Sequence, residues 1–168
     1  MEKENLKDRM SVCLRYTGSD TSFRRWRKIR SMPIVIRNLL VVSICKYLPP
    51  SKIKNKLYRR IGMKIGKNVT IFGVNFDIFF PELIEIGDNT VIGSYTLIIT
   101  HEFLNKKWCS GKIKIGKNVL IGAMTMILPG AEIGDNSVVS AYSLVNKKIP
   151  SDCMVGGVPV KILKRGTK

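Results

Sequence analysis

The sequence predicts a mainly β fold: a solenoid of short strands behind an N-terminal α-helical extension. From Ile115 to Ile149 the chain reads in sixes. An aliphatic residue stands at Ile115, Ile121, Ile127, Ile133, Val139 and Val145, and a small or β-branched residue usually follows four places later. A period of six fits neither a helix face nor strand alternation over a long run. It fits strands joined by turns, with corresponding residues stacked along an axis. Ile-Gly-Lys-Asn or Ile-Gly-Asp-Asn recurs at Ile65, Ile86, Ile115 and Ile133. Gly and Asn tolerate the positive φ that a tight corner requires. Ahead of the repeats, an apolar run bounded by prolines reads as helix.

Taken in order, residues 1–22 are polar and patternless, as expected of a loosely held terminus. A basic cluster, Arg24 to Arg30, precedes the apolar run Met32 to Leu48. Pro33 suits a first helical turn and Pro49-Pro50 a stop, so one helix of about four turns is expected. It is too short for a membrane span and is interrupted by Arg37 and Lys46. It also fits a cleaved signal peptide poorly, because it starts late and no small-residue cleavage site follows. Two readings stand for it. It packs on the solenoid or a neighbouring subunit, or it lies in a membrane interface, with Trp26, Tyr47, Tyr58 and the flanking Arg and Lys as anchors. Ser51 to Met63 reads as a second, basic helix closed by Gly62.

Charge follows the same division. Residues 1–64, the basic and partly helical extension, hold 17 Lys and Arg against 4 Asp and Glu; residues 65–168, the repeat domain, hold 12 against 8. The positive field therefore belongs mainly to the extension and favours an anionic partner such as a membrane surface, nucleic acid or a phosphorylated ligand. With 45% hydrophobic residues among 168, one domain with a modest extension is expected. Cys13, Cys45, Cys109 and Cys153 are scattered and have one histidine for company. That argues against a zinc site and against a disulfide framework, and predicts free thiols in a reducing cytoplasm.

The repeat count fails in two places. The Ile-Gly tetrapeptides are 21, 29 and 18 residues apart, and a coil of three sixes is 18. Three surplus residues must bulge out within Phe72–Glu85, and 11 must leave the solenoid between about Thr100 and Lys112. Loops on a rigid scaffold carry function, and His101, the chain's single histidine, sits at the root of the second excursion.

The sixes follow the [Ile/Leu/Val]-Gly-x-x-[Ser/Thr/Ala/Val]-x pattern. Together with Ile98-Ile-Thr-His-Glu, the Leu128-Pro-Gly turn and Gly156-Gly-Val-Pro-Val-Lys-Ile-Leu-Lys, they resemble the hexapeptide-repeat acyltransferases. The likeness is to the galactoside, maltose and xenobiotic O-acetyltransferases and covers roughly Ile65 to Lys164. It implies a left-handed parallel β-helix, where crossovers are otherwise usually right-handed. It also implies a homotrimer, with acetyl-CoA in the groove between neighbouring coils as acyl donor and no metal.

On that resemblance His101 is the expected general base. An acceptor hydroxyl is a poor nucleophile until its proton has a place to go, and an imidazole can take it as the thioester is attacked. Glu102 is expected to be a solvated carboxylate, since adjacent side chains of an extended chain point opposite ways. The resemblance further places Ala123 and Ala141 along the pantetheine arm, Asn146 and Lys147 near the nucleotide end, and Lys161 and Lys164 at phosphates. Leu120 stands where relatives often carry a large aromatic. Acceptor contacts are expected from Asn75 and Asp77, in Gly73 to Pro81, and from an apolar wall of Phe103 and Trp108.

A three-histidine carbonic anhydrase on this scaffold is excluded by the single histidine. No regular threonine array suggests an ice-binding face, and 64 residues hold no Rossmann-type domain. A non-catalytic solenoid binding membrane or nucleic acid through the extension is the rival from another class. Against nucleic acid, the extension has no recognisable motif and the solenoid no aromatic-basic platform. The sequence thus predicts a cytoplasmic, CoA-dependent O-acetyltransferase acting on a sugar or glycan-precursor hydroxyl, with peripheral membrane contact through residues 24–60 and no nucleic-acid partner.

Overall fold

Three parallel sheets wrap one hydrophobic core in a computed structural model that describes residues 12–15, 24 and 26–166. The first face stacks β2 (Lys64–Ile65), β5 (Ile84–Ile86), β10 (Ile113–Ile115), β13 (Glu132–Ile133) and β16 (Lys148–Ile149). The second stacks β3 (Thr70–Ile71), β6 (Val91–Ile92), β11 (Leu120–Ile121), β14 (Val138–Val139) and β17 (Cys153–Gly156). β18 (Lys161–Arg165) adds to β17 antiparallel, after a turn containing the cis Val158–Pro159 bond. The third stacks β4 (Asn75–Phe76), β7 (Leu97–Ile98), β12 (Met126–Ile127) and β15 (Leu144–Val145). Coils are in strict register, so the aliphatic residue opening each six meets its counterpart: Ile86 on Ile115, Ile115 on Ile133, Ile121 on Val139, Ile127 on Val145. All are buried. Regular sixes therefore become continuous aliphatic rows inside the prism.

The corners explain the recurring Asn. Asn68, Asn89, Asn118 and Asn136 all have φ between 54° and 58°, the left-handed region that Asn occupies at lower cost than most residues. Each donates its carboxamide to the next along the axis, and Asn136 donates to Asp152. Gly122 is required for a different reason: a Cβ there would lie 2.3 Å from the Ala141 backbone nitrogen.

The helical extension closes an otherwise open end. β2, β3 and β4 are the edge strands of all three sheets, and a bare edge is a template for unwanted pairing. Helix α2 (Met32–Tyr47) and helix α3 (Lys52–Arg60), together with the short α1 (Trp26–Ile29), cover it. Asn38 donates to Ile78 O, Lys54 to Phe72 O, Asn55 to Val69 O, and Arg59 to Ile65 O and Gly66 O. Side chains thus supply the donors that a further coil would have supplied. The packing reading of the apolar helix holds for one face of α2: Val35, Asn38, Val42 and Cys45 are buried against the solenoid.

Lys54 lies in the basic helix yet is fully buried, with Nζ also donating to Leu48 O, and burial pulls its pKa down. Three expectations are corrected here. Tyr58 is no interface anchor, because its ring is buried 4.9 Å from that of Phe76. The terminus is not patternless throughout: β1 (Val12–Arg15) pairs antiparallel with β9 (Lys107–Ser110). The rest of residues 1–22 lies outside the described residues. Nor are all thiols free: Cys13 and Cys109, cross-strand neighbours, form a disulfide, while Cys45 and Cys153 are free and buried. The pairing spans 96 residues, so no local spacing announces it.

Candidate active site

The two places where the count of six fails meet in space, joined by one carboxylate. The larger excursion is a hairpin of β8 (His101–Leu104) and β9, with β1 as its third strand. His101 is its first residue. The smaller surplus lies in the segment after β4, which runs through Asp77, Phe79 and Phe80 into a 3-10 turn at Pro81–Leu83. Asp77 Oδ1 accepts the backbone N–H groups of Phe79 (2.7 Å) and Phe80 (3.2 Å), shaping the departure from the solenoid. Its Oδ2 accepts Thr100 N–H (2.9 Å) and the Thr100 hydroxyl (2.7 Å), and lies 2.5 Å from His101 Nδ1.

These contacts set the electrostatics. The Asp77 side chain is fully buried and that of His101 is 11% exposed. Burial alone would push the Asp77 carboxyl up. The His101 contact and the Thr100 donors outweigh it and hold the carboxyl below its ordinary range. An ionised carboxylate at Nδ1 requires the proton on that nitrogen, which leaves Nε2 as the lone-pair nitrogen of the neutral ring.

Aromatic rings wall the imidazole. Phe79, Phe103 and Phe80 lie 4.8, 5.0 and 5.7 Å from it, centroid to centroid. Trp108 pairs with Phe103 across the hairpin and packs 5.3 Å from Phe80. The extension contributes too. Trp26 sits edge-on to Phe79 at 5.5 Å, and Arg30 pairs with Glu82 at 2.9 Å while lying 5.3 Å from Phe80.

The structure therefore gathers His101, Asp77, Phe103 and Trp108 and revises two of their roles. Asp77, expected to face an acceptor, has its carboxylate occupied inside the protein by Thr100 and His101. Trp108 is buried behind the wall rather than forming its surface. Asn75 stays on the outer face of β4, in register with Leu97. Ala123 and Ala141 lie at corresponding corners of successive coils, the Cβ position of Gly122 abutting Ala141. Asn146 and Lys147 follow β15, and the Asn146 carboxamide oxygen is buried without a hydrogen-bond partner among the described residues. Lys161 and Lys164 are exposed on β18.

Phe79, Phe80, Thr100, Trp26 and Arg30 were not anticipated. The available signal for the first two was an Asp followed by apolar residues in a stretch that breaks the period, which is Asx-turn chemistry. A groove of about 620 Å³ elsewhere, along the first face, holds none of these residues. The outward row of that face, Lys64, Glu85, Lys114, Glu132, Lys148, alternates in sign, with Lys148 and Glu132 paired at 3.3 Å. That is a charge ladder stabilising neighbouring coils. Among the described residues, no group of three or more His, Cys, Asp or Glu is placed to hold a metal.

The family described as Bacterial transferase hexapeptide (six repeats) matches residues 112–147. The Bacillus subtilis protein named "Putative acetyltransferase YvoF" is 44% identical over 82% of this chain and 83% of its own. A galactoside O-acetyltransferase of Lactococcus lactis is 35% identical over 83% and 79%. The crystal structure of the hexapeptide-repeat acetyltransferase VCA0836 of Vibrio cholerae, complexed with acetyl coenzyme A, superposes with a TM-score of 0.64 at 22% identity, covering 81% of this chain and 88% of that one. The chain belongs to the hexapeptide-repeat acetyltransferases and has their left-handed parallel β-helix. Membership of an enzyme family displaces the non-catalytic reading.

Proposed function

We propose that this protein transfers the acetyl group of acetyl-CoA to a hydroxyl of a sugar or glycan precursor, with His101 as general base. The observation that carries the reading is the 2.5 Å contact between His101 Nδ1 and the buried Asp77 carboxylate. Asp77 holds the proton on Nδ1, so Nε2 can accept one from the acceptor hydroxyl as that oxygen attacks the thioester carbonyl. The carboxylate stabilises the imidazolium so formed. On collapse of the tetrahedral intermediate the C–S bond breaks, and Nε2–H returns the proton to the departing thiolate of CoA. Asp77 is a positioning residue, while Phe79, Phe80 and Phe103 keep water from the imidazole.

The donor fits the corner residues. Ala123 and Ala141 present small side chains at the half-buried and exposed corners of successive coils, and Lys147, Lys161 and Lys164 offer positive charge to phosphates; Asn146 is proposed to line the same corner. Asn75 and Phe103 are the residues proposed to meet the acceptor. The relative from Lactococcus lactis, named for galactosides, supports a sugar. A homotrimer working in the cytoplasm is the proposed form, although a bridge such as Cys13–Cys109 is rare in that reducing compartment. The family likeness supports the assembly, with no nucleic-acid partner.

The test is thiol release from acetyl-CoA by purified protein across a panel of sugars, aminoglycans and oligosaccharides. Release that requires a hydroxyl-bearing sugar supports the proposal. Release with amine acceptors alone, or with none, overturns it.

A further inference from the structure

We propose that the outward face of α2 docks the protein on an anionic lipid bilayer. A surface helix ordinarily sets an apolar face inward and a polar face outward. Here Val35, Asn38, Val42 and Cys45 face the solenoid, yet the opposite side carries Ile36, Leu39, Leu40, Ile44 and Tyr47. At 3.6 residues per turn these five fall on one stripe, turned away from the solenoid. Leu40 is 57% exposed, Ile44 58% and Tyr47 83%. The helix is about 24 Å long at 1.5 Å per residue, long enough to lie flat in an interface. Among the described residues no helix is long and apolar enough to cross a membrane.

Charge identifies the occupant. Residues 24–60 contain twelve Lys and Arg and no Asp or Glu. Arg30, Lys54 and Arg59 are engaged within the fold. Arg27, Lys28, Lys46, Lys52, Lys56 and Arg60 lie on the three helices of the extension, all but the half-buried Lys46 exposed, and Lys46 Nζ lies 5.7 Å from the Tyr47 ring. A second copy docking face to face would set this acid-free surface against its own like charges, which is repulsive. A bilayer with anionic headgroups answers both features: apolar side chains enter the acyl boundary while the cations meet phosphates.

The test is flotation of the full chain with vesicles of phosphatidylcholine, with and without phosphatidylglycerol, over a salt series. Binding should require phosphatidylglycerol and weaken with salt over a Debye length of about 10 Å at 0.1 M. Leu40→Glu with Ile44→Glu should lower partitioning about tenfold or more, with thiol release on a soluble acceptor and solution mass unchanged. If that pair lowers the thermal midpoint, Tyr47→Ser, at the most exposed position, carries the comparison. Absence of flotation, binding indifferent to phosphatidylglycerol or salt, or a fall in solution mass in the double variant overturns the proposal. The last outcome would assign the stripe to another copy of the chain. Flotation reads no chemistry, so its failure is separate from failure of the acetyl-transfer reading.

Discussion

Asp77→Asn is a small change with consequences that can be worked from the contacts. The carboxamide keeps its oxygen toward the two N–H groups of Phe79 and Phe80 and turns its NH2 toward Thr100 and His101. The Thr100 hydroxyl can rotate to accept, but Thr100 N–H then has no acceptor, and a buried unsatisfied donor costs about 1–3 kcal/mol. For a chain of this size that lowers the thermal midpoint by roughly 2–4 °C per kcal/mol. The imidazole must now accept at Nδ1, which places its proton on Nε2 and removes the base. An equivalent tautomer reversal in a serine-protease triad lowers kcat about 10⁴-fold. A loss of about 10³–10⁴-fold, or about 4–5 kcal/mol of transition-state stabilisation, is expected here. Thiol-release kinetics beside thermal unfolding measure both effects. Turnover within about tenfold of wild type would refute the orienting role of Asp77, since that is under 1.4 kcal/mol.

Acidity supplies an internal control for the same residue. The folded Asp77 carboxyl titrates below its ordinary value of 3.8, so the unfolded chain binds the proton first. Its stabilising contribution is complete above about pH 4 and is lost as pH falls through the folded value. The stability gap between wild type and Asp77→Asn should therefore narrow below about pH 4, which chemical denaturation at stepped pH would show; a gap widening toward low pH would contradict the ionised assignment. Under denaturing conditions a maleimide reagent should label two cysteines per chain, Cys45 and Cys153, and four after reduction, as read by intact mass. Four without reductant would restore the expectation of free thiols. Lys54→Met keeps the volume but strips the donors from Leu48 O and Phe72 O. A loss of about 2 kcal/mol in denaturant unfolding is expected, and no loss would contradict the capping role.

The solenoid was legible because its signal is local and repeated. Each aliphatic opening a six is buried for the same reason as the next, and each Asn turns the same corner. Counting also located both excursions, and with them His101. Contacts between excursions were not legible. The bond from Asp77 to His101 and the bridge from Cys13 to Cys109 join residues that no period relates. The burial of Lys54 was not legible either, because composition marks the run as basic without showing that the open sheet edge needs a buried donor for its carbonyls. The helix Met32–Tyr47 was ambiguous for a physical reason: it is apolar on both sides because one side covers that edge and the other faces outward.

The central claim is that His101 removes the acceptor proton. Its most direct test is His101→Ala, assayed for thiol release with the best acceptor and for acetyl-CoA binding by calorimetry. Removal of a general base should lower kcat by about 10²–10⁴-fold, with acetyl-CoA affinity nearly unchanged. Turnover that persists in the variant would contradict the account.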